Sequence, residues 1–269
     1  MTKAALGFCL LSLLLAEEAR AADLYEEAAS ARPTADTDLV IELGVGGRLM
    51  PEYAGAKDYQ FSPYPIVSVD YLSLPGLFSF GSIDPQRGGF SIGPSFEFID
   101  KRNAADYDEL QGLRDVDATY EAGVKLGYEW DAAEVYGEFR YAFGGADGFV
   151  GDVGANLVAR PSQEWQLKAG PTLSFASGKY MNTLFGVSDS ESIATGGRLD
   201  AYDADGGFRS AGVAASARYE FRPTWFLNAD ASWNRFIGDA EDSPIVKTGD
   251  ENQYTVGLGI SKRFSLDLF

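Results

Sequence analysis

The chain contains no histidine and a single cysteine, Cys9. Without imidazole, the commonest general base and the commonest transition-metal ligand are both missing. Serine triads, cysteine–histidine pairs and zinc sites of the usual kind are therefore excluded, and a lone thiol cannot form an intrachain disulfide. Positive charge is also scarce: 22 Lys and Arg stand against 40 Asp and Glu, giving a net charge of −18. Nucleic acid is excluded as a partner, because its phosphates need Lys and Arg to displace their counterions. Nowhere is there an apolar run long enough for a transmembrane helix.

No cofactor or metal is expected. Gly44-Val45-Gly46-Gly47 lacks the third glycine and the following helix of a nucleotide-binding loop. Asp203-Ala204-Asp205-Gly206 resembles part of a calcium loop, but Ala201 and Gly212 occupy its first and last ligand positions and break the pattern. Enzymatic chemistry is left only to pairs of carboxylates.

At its start the chain carries Lys3, an apolar run from Ala4 to Ala16, and Ala19-Arg20-Ala21. This is the pattern of a secretory signal over residues 1–21, too short to span a bilayer. Its removal takes away Lys3, Glu17, Glu18 and Arg20, so the net charge stays at −18 and the only cysteine is lost. Residues 22–38 are polar and aperiodic and read as a periplasmic arm. The remainder, 39–269, reads as one all-β unit.

Alternation of period two fills that unit. At its end Tyr254, Val256, Leu258, Ile260 and Phe264 share one parity, opposed by Thr255, Gly257, Gly259, Ser261 and Arg263. In the middle Tyr120, Ala122, Val124, Leu126 and Tyr128 oppose Glu121, Gly123, Lys125, Gly127 and Glu129, and a turn at Asp131-Ala132 leads into the same pattern again. Successive strand residues point to opposite faces, so each segment has one apolar face and one small or charged face. Segments of about ten residues, apolar outside, polar inside and tipped with aromatics, specify a transmembrane barrel. The fold class is thus an antiparallel outer-membrane β-barrel. Twelve strands are expected if Tyr180–Val187 is one of them, and ten if the short segments belong to loops. The inward parity carries Glu42, Arg48, Asp70, Glu97, Glu121, Lys125, Glu138, Arg140, Arg218 and Asp230. Mixed signs on a lumen wall suit either a water-filled pore or a set of ion pairs that plugs it.

Several local strings resemble the MipA/OmpV family of outer-membrane proteins. They are Pro51-Glu52-Tyr53-Ala54-Gly55 followed by Tyr64-Pro65, then Phe185-Gly186-Val187, Gly238-Asp239 with Ser243-Pro244, and the closing run to Phe264. The resemblance covers essentially the whole mature chain in order. It implies a barrel in contact with outer-membrane lipids, without catalytic residues, that acts as a scaffold linking a lytic transglycosylase to a murein synthase. Where this family tends to end in aromatic-x-Phe, Lys262 takes the aromatic place and the chain runs on to Phe269, so either Phe264 or Phe269 serves as the insertion signal. Scaffold, channel and carboxylate enzyme are the three function classes that remain.

Overall fold

The computed structural model describes residues 37–81 and 88–268. The expected signal, most of the arm and Phe269 lie outside the described residues. Among the described residues eleven strands are present: β1 (Leu39–Pro51), β2 (Tyr59–Leu74), β3 (Phe78–Gly81), β4 (Gly89–Ile99), β5 (Thr119–Glu129), β6 (Ala133–Gly144), β7 (Gly148–Ala159), β8 (Trp165–Ala176), β9 (Gly207–Arg222), β10 (Trp225–Phe236) and β11 (Asn252–Leu266). They form one antiparallel sheet in the order β3-β2-β1-β11-β10-β9-β8-β7-β6-β5-β4, a nearly closed barrel. Ten of the strands are long; β3 is a four-residue excursion paired to Tyr71–Leu74 of β2. An even number of full crossings brings residues 38 and 266 to the same end, where Asp38 N–H donates to the Leu266 carbonyl (2.9 Å).

The twelfth strand does not form. Residues 178–185 are instead the helix α1 (Gly178–Phe185), whose buried residues are Tyr180, Met181, Leu184 and Phe185. That spacing places all four on one helical face, whereas a strand would have split them between two sides. Three shorter helices follow: α2 (Asp189–Ala194), α3 (Asp239–Asp242) and α4 (Pro244–Thr248).

Turns at one end of the barrel are short, at 75–77, 130–132, 160–164 and 223–224, while 52–58, 100–118, 177–206 and 237–251 at the other end are longer, with 145–147 the one short turn among them in the described residues. Short turns face the periplasm and long loops the exterior in barrels of this kind. Val45, Phe61, Val124, Phe139, Leu157 and Leu258 stand out from the wall, exposed to what is lipid in the membrane. Aromatic pairs mark its two edges. Near the long loops Phe98, Tyr120 and Phe143 stack in a row with centroids 5.3 and 5.9 Å apart. Near the short turns Tyr128 meets Trp130 at 4.8 Å and Trp165 meets Tyr219 at 4.6 Å.

The fully buried large side chains, by contrast, collect mostly among the long loops. One cluster joins Val116, Tyr180, Met181, Phe185, Phe236, Ala240 and Val246. A second joins Tyr53, Leu110, Leu113, Val187, Leu199 and Ile245. The conventional hydrophobic core of this protein is thus a plug in the outer mouth.

Candidate functional site

Three layers fill the barrel from the outer mouth to the periplasm. The plug comes first, and the motif residues meet there. Tyr53 donates its hydroxyl to Glu109 (2.7 Å), and Gly55, at φ 97°, accepts Asp250 N–H on its carbonyl (2.8 Å). A side chain at Gly55 would be strained by that φ and would also press on Val246, about 3.1 Å from its Cβ. Ser243 donates to the Phe185 carbonyl (2.6 Å) and accepts Ile245 N–H at the start of α4, where Pro244 takes the first helical position. Val187 exchanges backbone hydrogen bonds with Tyr202, whose hydroxyl donates to the Asp239 carbonyl (2.9 Å). Gly186 and Gly238 flank these contacts in the chain. Pro51, Pro65 and Phe264 stay in the wall, on β1, β2 and β11. Most motif residues therefore build one packed cap, and none of them forms a reactive centre.

Titration in the plug follows its burial. Desolvation, then the bond to Glu109, pushes the Tyr53 hydroxyl well above the ordinary tyrosine range. Burial lowers Arg102 to about 10; its guanidinium donates to the Leu184 carbonyl (2.9 Å). Burial raises Glu191, but the side-chain and backbone bonds from Ser188, the backbone N–H of Arg114 and the Arg114 charge outweigh it, so this carboxyl is held below its usual value. Ser188 and Glu191 form a capping box on α2, and Arg114 Nη1 reaches Glu191 at 2.8 Å.

The second layer is an ion-pair belt centred on Arg140. Its guanidinium donates to Glu121 (2.9 Å), to Glu138 (2.7 Å), to Ser95 (3.0 Å) and to Asp152 (2.5 Å). Lys125 adds to Glu138 (2.8 Å) and Arg48 pairs with Glu97 (2.9 Å). The belt is fastened to the plug: Tyr180 of α1 donates to Glu121 (2.7 Å), and Arg209 in turn donates to the Tyr180 hydroxyl (3.2 Å). Each carboxylate of the belt has a cation or a hydroxyl, which offsets the cost of burying its charge, while Nε of Arg48 and of Arg209 is buried without a hydrogen-bond partner.

Below the belt lies a cavity of about 690 Å³. Among the described residues, the carboxylates Glu42, Asp70, Glu129, Glu134 and Asp230 line it against the cations Lys125, Arg160, Lys168, Arg218 and Arg263. Arg218 pairs with Glu42, Arg263 with Asp70 (2.9 Å) and Lys168 with Glu134 (2.9 Å). Asp230 differs. It accepts the Tyr64 hydroxyl (2.8 Å) and, among the described residues, forms no ion pair. Gly46 and Gly257 make room for that contact: a Cβ on the first would sit 2.6 Å from the Tyr64 ring, and on the second 2.5 Å from the Asp230 carboxylate. No group of three or more carboxylates among the described residues is arranged to hold a metal ion.

A strand-built wall with a lipid-facing exterior, aromatic edges and an ion-paired interior defines an outer-membrane β-barrel protein. The chain belongs to the MipA family: the family's sequence profile, described as MltA-interacting protein MipA, matches residues 43–264. The outer membrane protein Omp26La of Vibrio anguillarum is 33% identical over 92 residues, a match that spans 34% of this chain and 34% of that protein. Among solved structures, an outer-membrane channel from Pseudomonas putida F1 superposes with a TM-score of 0.40 at 12% identity, over 87% of this chain and 98% of that one. The NanC porin gives 0.35 at 9% identity, over 83% and 98%.

Proposed function

We propose that this barrel is a non-enzymatic scaffold of the outer membrane, engaging proteins of murein metabolism such as a lytic transglycosylase and a murein synthase. The observation that carries the reading is the double closure of the lumen. A hydrophobic plug and an Arg140-centred belt, joined through Tyr180 and Glu121, occupy the path that a conducting pore would leave open. A barrel sealed in this way acts through its surface. The family's own description, an interaction partner of MltA, supports the same reading. The periplasmic contacts then fall to the short turns and to the acidic residues Asp23, Glu26 and Glu27 of the arm. Charge of one sign mainly speeds association with a basic partner and is screened by salt.

A channel is the second reading, favoured by the cavity of about 690 Å³ below the belt. Pull-down of the tagged barrel from envelope extracts at low and high salt, beside planar-bilayer recordings, separates the two. Recovery of murein hydrolases or synthases at low salt, with no single-channel currents, supports the scaffold. Stable currents with no such recovery overturn it.

A further inference from the structure

The lipid-facing wall is not uniform. On β4 to β6 its middle carries Phe96, Val124, Leu126 and Phe139, whereas on β8 to β10 it carries Ala169, Ala215, Ala217, Ala229 and Ala231. The register lines these alanines up: Ala169 lies opposite Ala215 and Ala215 opposite Ala231, and in the next row Ala217 lies opposite Ala229. Leu157 of β7 ends the first row and Leu258 of β11 the second. Among the described residues the result is a basin of about 530 Å³ in the outer surface, floored by alanine methyl groups, with those leucines at its sides. Its periplasmic end is marked by Trp165 stacked on Tyr219, two residues below Leu167 and Ala217. Farther along the same rim, Trp225 has Arg222 opposite it on β9 and Lys262 opposite it on β11. The Lys262 ammonium lies 5.3 Å from the Trp225 ring and 5.6 Å from that of Phe264. Lys262 shares the parity of Leu258 and Ile260, so its charge stands on the lipid-facing side and belongs at the membrane interface, with its stem along the wall.

We propose that this basin seats an acyl chain of an anionic phospholipid from the periplasmic leaflet, with the phosphate of that lipid held at the rim by Lys262 and Arg222. The occupant is hydrocarbon because the basin is continuous with the wall that already meets lipid. Lipid tails are as apolar as leucine, so one lipid-facing surface differs from another in packing. A convex wall of large side chains touches a chain along a line, while a hollow touches it at the sides as well as beneath and gains dispersion contacts. The lengths agree: Lys262 and Leu258 are four residues apart, about 13 Å along a strand, and one leaflet of the hydrocarbon core is about 15 Å deep. A chain whose phosphate sits at Lys262 therefore runs over the basin. Charge decides against a second barrel as the occupant. Two copies inserted in the same sense would bring Arg222 and Lys262 of each to one level of a shared interface, like charges together, whereas a phosphate answers both. The inference stands apart from the choice between scaffold and channel, since neither uses this face.

The test reads lipid retention by native mass spectrometry of the full chain, purified in detergent and supplied with phosphatidylglycerol over a range of concentrations. One phosphatidylglycerol is expected to stay on the barrel. Ala215→Phe with Ala229→Phe fills the basin with a side chain that other strands already carry on this face, and should weaken retention by about tenfold. Ala122→Phe, a like change on β5 outside the basin, should leave it unchanged. Arg222→Gln with Lys262→Gln should weaken retention as well. Dihexanoyl phosphatidylglycerol, whose chains end short of the basin, should not be retained, and that arm needs no variant. Heat-modifiable migration shows which variants are folded. Retention that survives the filled basin overturns the chain seat, as does an equal loss with Ala122→Phe or equal retention of the dihexanoyl lipid. Retention indifferent to Arg222→Gln with Lys262→Gln overturns the headgroup assignment. Dimers of the unaltered chain that carry no lipid and come apart when the basin is filled make it a contact between copies, and overturn the proposal too.

Discussion

The wall and the plug are made from the same residues under opposite solvents. On the wall Val45 is 67% and Phe61 72% exposed, and this is their stable condition because lipid meets them. In the plug Tyr180 and Phe185 are fully buried, as in a water-soluble protein. Stability in the wall rests on paired backbone groups and on keeping charge off one face. Stability in the plug rests on close packing and on capped helix ends. The two regions should therefore fail in different ways.

Phe185→Ala should produce the largest loss, about 3–5 kcal/mol of plug stability from the cavity left behind. It should appear as rapid proteolysis of the long loops while the barrel keeps its heat-modifiable mobility. Arg140→Leu removes the cation shared by Glu121, Glu138 and Asp152, leaving Glu121 only the Tyr180 hydroxyl and Glu138 its pair with Lys125, and should cost about 3–5 kcal/mol, read as a lower unfolding midpoint in urea. If any variant conducts in planar bilayers, this one should. Val124→Arg, on the lipid face at the middle of β5, should cost about 2–4 kcal/mol and reduce assembly, whereas Lys125→Gln one residue on, which keeps a polar group on the lumen side, should insert normally. Equal behaviour of the two would erase the distinction between the faces. Ser243→Ala should cost about 1 kcal/mol through the lost cap of α4, visible as faster hydrogen exchange over 243–248.

The smallest effect is one of pH. Because the folded state holds Glu191 below the ordinary carboxylate range, its contribution is present at neutral pH and is lost as pH falls through the ordinary value, about 4.3, toward the folded one. Loop proteolysis should rise over that window, and Glu191→Gln should flatten the rise.

Much of the wall is legible in the sequence. A strand turns every second residue to the same side, so Tyr120 through Glu129 sorts into two faces by inspection, and the Asp131-Ala132 turn fixes the next strand against it. The helix α1 is harder to see, although Tyr180, Met181, Leu184 and Phe185 carry helical spacing, because a short apolar segment between Gly178 and Gly186 in a chain of strands suggests one more strand. Ser188 and Glu191 stand at capping-box spacing, a signal that marks α2. For the lumen, parity assigns a side to Arg140 and Glu121 and says nothing of their meeting. Such pairs depend on the stagger between neighbouring strands, which local sequence does not encode.

The plug has a consequence for the order in which this protein forms. Its hydrogen bonds tie the first loop to the last, Gly55 to Asp250, and fasten Arg102 to Leu184 and Ser243 to Phe185. Contacts so distant along the chain are made late, after the intervening loops have been closed. The cap cannot set until β1 and β11 stand side by side. Protease resistance of the long loops therefore timestamps completion of the barrel, and a chain stalled before its final hairpin inserts should present those loops loose.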